Sequence, residues 1–252
     1  RDRDLSLTAY RGQRSGSASS ADWSEASLNE VVERALAISS HTGEDRYAGL
    51  PDAARQASDF PDLDLHHPWS LSVADAIDIA LACEAAALAA DPRVHQSEGA
   101  TVSTHAGLTL LANTQGFVGH RLGTSPSRSC SVLAKSGDEM QRDYWYSSAR
   151  RHEDLQAAAD IGQLAGERAA SRLGARSIAT ASMPVIYVPE LARGLFGHLL
   201  AAISGGNLYR RASFLLDAVD TQVLAPGIRI TQRPFLSRAA GSRSFDSEGV
   251  AM

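Results

Sequence analysis

Residues 94 to 150 alternate apolar and polar side chains with a period of two. Segments such as ATVSTHAGLTLLAN, GFVGHRLG, SCSVLAKS and DYWYSSAR are separated by Gly, Ser, Pro and Asn. Successive side chains of a strand point to opposite faces, so this alternation describes half-buried strands, and the turn residues between them predict an antiparallel meander. Two Ala-rich helical segments flank it. Residues 73 to 90, VADAIDIALACEAAALAA, follow Ser70 and Ser72, either of which can cap the helix. That helix stops near Asp91-Pro92, because proline disfavours helical backbone in its predecessor. The second, DLQAAADIGQLAGERAASRLG, ends at Gly174, a residue type that accepts the left-handed cap. Strands bracketed by helices predict an α+β fold of antiparallel sheets with packed helices.

On the N-terminal side, LSLTAYRG (residues 5 to 12) has strand alternation, and the Gly/Ser-rich QRSGSASSAD after it reads as a turn or loop. SEASLNEVVERALAIS (24 to 39) follows as an amphipathic helix capped by Ser24 or Ser27. Residues 41 to 70 hold three prolines and many acids without periodicity, and predict an extended connector with at most one helical turn. Towards the other end, ARSIATASMPVIYVP is strand-like, GLFGHLLAAISGG and GNLYRRASFLLDAV are helical, and the last forty residues read as turns with short strands.

The balance of charge excludes some functions. A net charge of -5 in 252 residues argues against a dedicated nucleic-acid surface. Asp75, Asp78 and Glu84 interrupt the most apolar long run, which argues against a membrane span. Cys83 and Cys130 form no CxxC pair, so two reduced thiols in a cytosolic protein are expected, with a single disulfide as the alternative. The chain starts without Met and stops just after a turn-like cluster, and both ends read as cut. No GxSxG, P-loop or GxGxxG is present.

Candidate site residues are few. His66 and His67 are adjacent, which points their rings apart and rarely suits one metal; the histidines at 41, 95, 105, 120 and 152 are scattered. Glu98 and Glu248 each sit in a Ser-Glu-Gly triplet expected in a loop. MQRDYWYSSARRHEDL concentrates aromatics between arginines. Arg142, Tyr144, Tyr146 and Arg150 could form an exposed peptide-binding strip; alternatively, Tyr144 and Tyr146 pack one face of a sheet and Trp145 the other. His198 lies mid-helix in GLFGHLLAAISGG. A zinc helix needs a second ligand one turn away, but Ala201, Ala202 and Ile203 follow His198, and Leu195, Gly194 and Arg193 precede it. None of these can bind zinc.

NTQGF (113 to 117), MQRDYWYSSAR (140 to 150), RLGAR (172 to 176), GLFGHLLAAISGGNLYRRASFLLD (194 to 217) and FDSEGV (245 to 250) together resemble the TldD/PmbA family, in its PmbA (TldE) branch. EDRYAGLP (44 to 51) and DLDLHHPWS (62 to 70) match the same branch. The resemblance implies the end of an N-terminal domain over 1–43, a connector over 44–70, a middle α+β domain over 71–176, and the beginning of a sheet-rich C-terminal domain over 177–252. It also implies a cytoplasmic, two-subunit zinc metallopeptidase that trims unfolded peptides. In that family the TldD subunit carries an HExxxH zinc helix and the PmbA subunit lacks it. Laid on that pattern, Gly197 takes the first histidine's place, His198 the glutamate's and Ala202 the second histidine's. The resemblance therefore implies no catalytic or metal-binding residue and no cofactor in this chain, with zinc in a TldD-like partner. Its alternatives are an independently active metallopeptidase with ligands beyond this chain, and a non-proteolytic regulator that binds gyrase or another protein. Self-association is a further expectation.

Overall fold

A computed structural model of the chain describes residues 2 to 252. Two compact units emerge: the residues up to Leu173 together with Arg233–Met252, and Gly174–Gln232. The α+β expectation holds.

The first unit opens with a hairpin, β1 (Leu5–Arg11) and β2 (Arg14–Ser20), turning at Gly12 with φ of 61°. The Gly/Ser-rich stretch read as a loop is thus a strand. Its small residues admit α1 (Glu25–His41) at close range: a Cβ on Gly16 would run into Ala35 O and Ser39 N of the helix. Ser24 caps α1 by accepting from Ser27 N–H, and the Thr42 hydroxyl donates to Ser15 O at 2.9 Å at its other end. The connector has one 3-10 turn, Ala53–Arg55, and buries Ala57 and Leu63.

Ser72 caps α2 (Val73–Ala89), which leads into β3 (Val94–Ser103). A hairpin of β4 (Ala106–Ala112) and β5 (Val118–Thr124) follows, then β6 (Ser127–Ser136) and β7 (Glu139–Ser148). The strand order is β3-β6-β7, with β4-β5 as a separate pair. The expected meander is therefore corrected: the chain leaves the sheet after β3, makes its own hairpin, and returns to pair β6 antiparallel with β3. Period two fixes which face a residue occupies but not which strand lies beside it.

Helix α3 (Ala158–Ser171) and α2 cover one face of the three-stranded sheet. Cys83, Ala87, Cys130, Val132, Ile161, Ala165 and Ala169 form this core. Asp143, buried on the same face, receives Arg168 Nε at 3.5 Å and Arg172 Nη1 at 3.3 Å, which ties the last turns of α3 to β7. A second, smaller cluster joins Phe117, Phe245 and Ala57, with Phe60 edge-on to Phe245 at 5.7 Å.

The second unit holds α4 (Pro189–Ala202) and the short α5 (Gly205–Tyr209). Residues 175 to 188, expected as a strand, form no ladder among the described residues, and Val188 O instead accepts from the Leu191 and Ala192 N–H groups at the start of α4. The expected helix over 206 to 219 shrinks to α5. The short strands expected near the C-terminal end reduce to the bridges Gln56 to Val250 and Phe245 to Ala251.

Candidate functional site

Among the described residues of the first unit, no helix lies against the outer face of the three-stranded sheet. Because β7 alternates, Arg142, Tyr144 and Tyr146 emerge on this face, while Asp143 and Trp145 turn to the helices. Both readings of the aromatic run meet here. The tyrosines share one face, and they are 58% and 41% exposed. Their rings stack at 6.3 Å with 23° between planes. Trp145 on the opposite face lies under the Arg168 guanidinium at 4.9 Å and donates from Nε1 to Gln156 Oε1.

Glu98 joins the tyrosine face, which the sequence did not indicate. It lies in β3 rather than in a loop, beside an irregularity between Ser97 and Gly99, where Gly99 takes φ of 112°. The Ser131 hydroxyl donates to Glu98 Oε2 at 2.6 Å, and Arg142 Nη1 reaches Oε1 at 3.2 Å. The Ser131 bond first, and Arg142 second, hold the Glu98 carboxyl below its ordinary range. Glu98 is the extra residue of that irregularity, and strict alternation carried back from Ala100 would have turned it to the helices instead. Arg150 does not join this face: its Nη1 donates to Thr124 O at 3.1 Å and its Nη2 to Ala240 O at 2.6 Å. Glu248 lies in a turn, its N–H donating to Asp246 Oδ1.

On α4, Gly197 and His198 are exposed and Ala202 is buried. Added Cβ atoms at Gly194 and Gly197 would meet nothing within 4 Å. His198 has no second ligand within one turn on its helix, and no group of three His, Cys, Asp or Glu side chains that could hold a metal occurs among the described residues. These residues do not fit a zinc ion. Of the paired histidines, His67 reaches Asp64 Oδ1 at 2.9 Å, so its ring serves a loop contact. Cys83 and Cys130, distant in sequence, are both free and buried. Contact with Cys83 first, then burial, pushes the Cys130 thiol up.

The family comparisons agree in order along the chain. Residues 1 to 39 match the PmbA/TldA metallopeptidase domain 1, residues 66 to 173 its central domain, and residues 180 to 252 its C-terminal domain. The chain belongs to the PmbA/TldD metallopeptidase family. Among curated proteins it is 40% identical to the metalloprotease PmbA homolog of Haemophilus influenzae, over 98% of this chain and 54% of that protein. It is 41% identical to the metalloprotease PmbA of Escherichia coli O157:H7, over 98% of this chain and 55% of that protein. The chain thus spans about half the length of the curated relatives it matches. A crystal structure of a candidate modulator of DNA gyrase from Bacteroides thetaiotaomicron superposes with a TM-score of 0.89 at 27% identity, over 98% of this chain and 57% of that one. TldE from Thermococcus kodakarensis, at 15% identity and a TM-score of 0.65 over 99% of this chain and 61% of that one, shares the fold. No helix among the described residues is long and apolar enough to cross a membrane.

Proposed function

We propose that this chain is part of a PmbA-type subunit that works beside a TldD-like zinc peptidase in the cytoplasm, the pair trimming unfolded peptides, with zinc held by the partner. The observation that carries this reading is the donor set of α4. His198 stands alone, flanked at helical spacing by Gly194, Leu195, Ala201 and Ala202, so two imidazoles cannot meet on this helix. Supporting it are the names of the curated relatives and the uncovered sheet face. An unfolded peptide could lie across Arg142, Tyr144 and Tyr146, gaining stacking and carboxylate contacts without demanding a sequence.

The test is zinc analysis and cleavage of an unfolded peptide by the full-length protein alone, by a TldD-like paralogue alone, and by the mixture. The expected result is zinc in the paralogue and chelator-sensitive cleavage that needs both. Stoichiometric zinc and chelator-sensitive cleavage by the full-length protein alone would show instead that ligands outside this chain complete a site. A second reading, a regulator that binds another protein without proteolysis, is favoured by the Bacteroides neighbour's name. Cleavage that depends on both chains would exclude it.

A further inference from the structure

We propose that the first unit carries a carboxylate-binding cleft between the β4-β5 hairpin and residues 240 to 243, distinct from the tyrosine face and independent of the peptidase reading. The cleft encloses about 330 Å³ and is lined by Arg121, Arg150, Arg243, His105 and Ser242. No aspartate or glutamate is among its lining residues, although the chain as a whole is acidic. Among the described residues, neither Arg121 nor Arg243 has an ion-pair partner, while Arg121 lies over the Phe245 ring at 6.0 Å.

The wall is shaped to admit a ligand. Gly107 and Gly123 are paired across the hairpin and line the cleft together. A Cβ on Gly123 would come within 3.3 Å of Arg150 Nη1, and one on Gly107 within 3.1 Å of His105 Nε2. Bare backbone at both positions therefore makes room for the guanidinium and the imidazole. Two buried polar atoms on this lining have no protein partner. Arg150 gives one N–H from each terminal nitrogen, to Thr124 O and to Ala240 O, and its Nε is unbonded. Ser242, only 7% exposed, has its Oγ unbonded. Buried donors left unpaired bear their full desolvation cost, which a small movement of this wall towards an entering polar group would relieve.

The chemistry favours a carboxylate. Arg121 and Arg243 keep their planar donor forks, which match a carboxylate's two oxygens, whereas Arg150 already gives one N–H of each terminal nitrogen to a backbone carbonyl. A volume of about 330 Å³ is at the small end of ligand pockets and suits an organic acid or the last residue or two of a peptide.

The experiment titrates this chain with acetate, N-acetyl-alanyl-alanine, its C-terminal amide and inorganic phosphate, following backbone amide shifts of Gly123, Gly241 and Ser242 by NMR. The expected result is saturable binding of a free carboxylate and none of the amide. A tighter peptide identifies a chain terminus as the source, and a tighter acetate a small acid; both support the cleft. Arg243→Gln and Ser242→Ala should each weaken binding roughly tenfold or more, with Arg34→Gln on α1 as the unaffected control. Gly123→Ala, which narrows the wall without removing charge, should weaken it too, so a misfolded arginine variant does not decide the matter. Failure to saturate, equal binding of the amide, tighter binding of phosphate, or affinity unmoved in both Arg243→Gln and Gly123→Ala would overturn the proposal.

Discussion

Helices α3 and α4 are both 14 residues long, and each carries two glycines within one turn of each other. In α3, Gly162 and Gly166 lie against α2: a Cβ on Gly162 would run into the Cys83 carbonyl, and one on Gly166 would sit 2.6 Å from Ala90 Cβ. In α4, Gly194 and Gly197 face open space, and Leu191, Leu195 and Leu200 are exposed. A pair of glycines about one turn apart thus means close helix approach in one place and nothing in the other. What separates them is the presence of a second helix and a sheet to receive the bare backbone. An exposed leucine on its own says little; a run of them on a helix without a covering layer marks apolar surface that the unit by itself does not bury.

Five measurements would break or sharpen this contrast. Ile161, fully buried where α3 meets the sheet core, should cost about 2–5 kcal/mol when changed to Ala, read as a lower urea midpoint with unchanged slope. A cost below 1 kcal/mol would mean that α3 is not packed as described. Gly162→Ala should cost about 1–3 kcal/mol, because α2 must move to admit the methyl group. If it stabilises instead, the close approach of α2 and α3 is wrong. Asp143→Asn should cost about 1–2 kcal/mol, since the buried group loses charge opposite Arg168 and Arg172, both of them partly solvated. Gly197→Ala should do the opposite of Gly162→Ala and raise helix stability by up to about 1 kcal/mol, detected as added helical ellipticity.

The smallest effect concerns pH. Arg93 holds the Asp91 carboxyl, just beyond α2, at about 2, by side-chain bonding first and the Arg93 backbone N–H second, against an ordinary value of 3.8. A depressed carboxyl stabilises the fold above its unfolded value, and that contribution fades as pH falls from about 4 towards 2. The pair is solvent-exposed, so the checkable quantity is the titration of the Asp91 side-chain carboxyl carbon; a midpoint near 4 would remove the effect.

The legible parts of the fold were those decided by neighbours in sequence. Ser24 and Ser72 cap helices because a hydroxyl beside a free N–H works wherever it occurs, and the poverty of α4 in ligands could be counted along one helix. Period two along β7 separated Tyr144 and Tyr146 from Trp145. The illegible parts depended on distant segments. RSGSASS looks like a loop until α1 packs on it, and β3 pairs with β6 across an intervening hairpin. Arg150 looked like one of a surface strip, yet its bonds run to Thr124 and to Ala240, far along the chain. Arg121, Arg150 and Arg243 meet only after the same long-range closure.

Phe245 closes edge-on against Phe117 at 5.4 Å and Phe60 at 5.7 Å, so residues from three distant segments must be present at once. Residues 174 to 232 lie between two parts of the same unit in sequence. A ribosome adding roughly 5–20 residues per second therefore delivers the hairpin and the connector seconds before the ring that seals them. During that interval Phe60 and Phe117 are wetted. Closure of this aromatic cluster is a late event of synthesis, set by the length of the intervening segment as well as by the strength of the contacts.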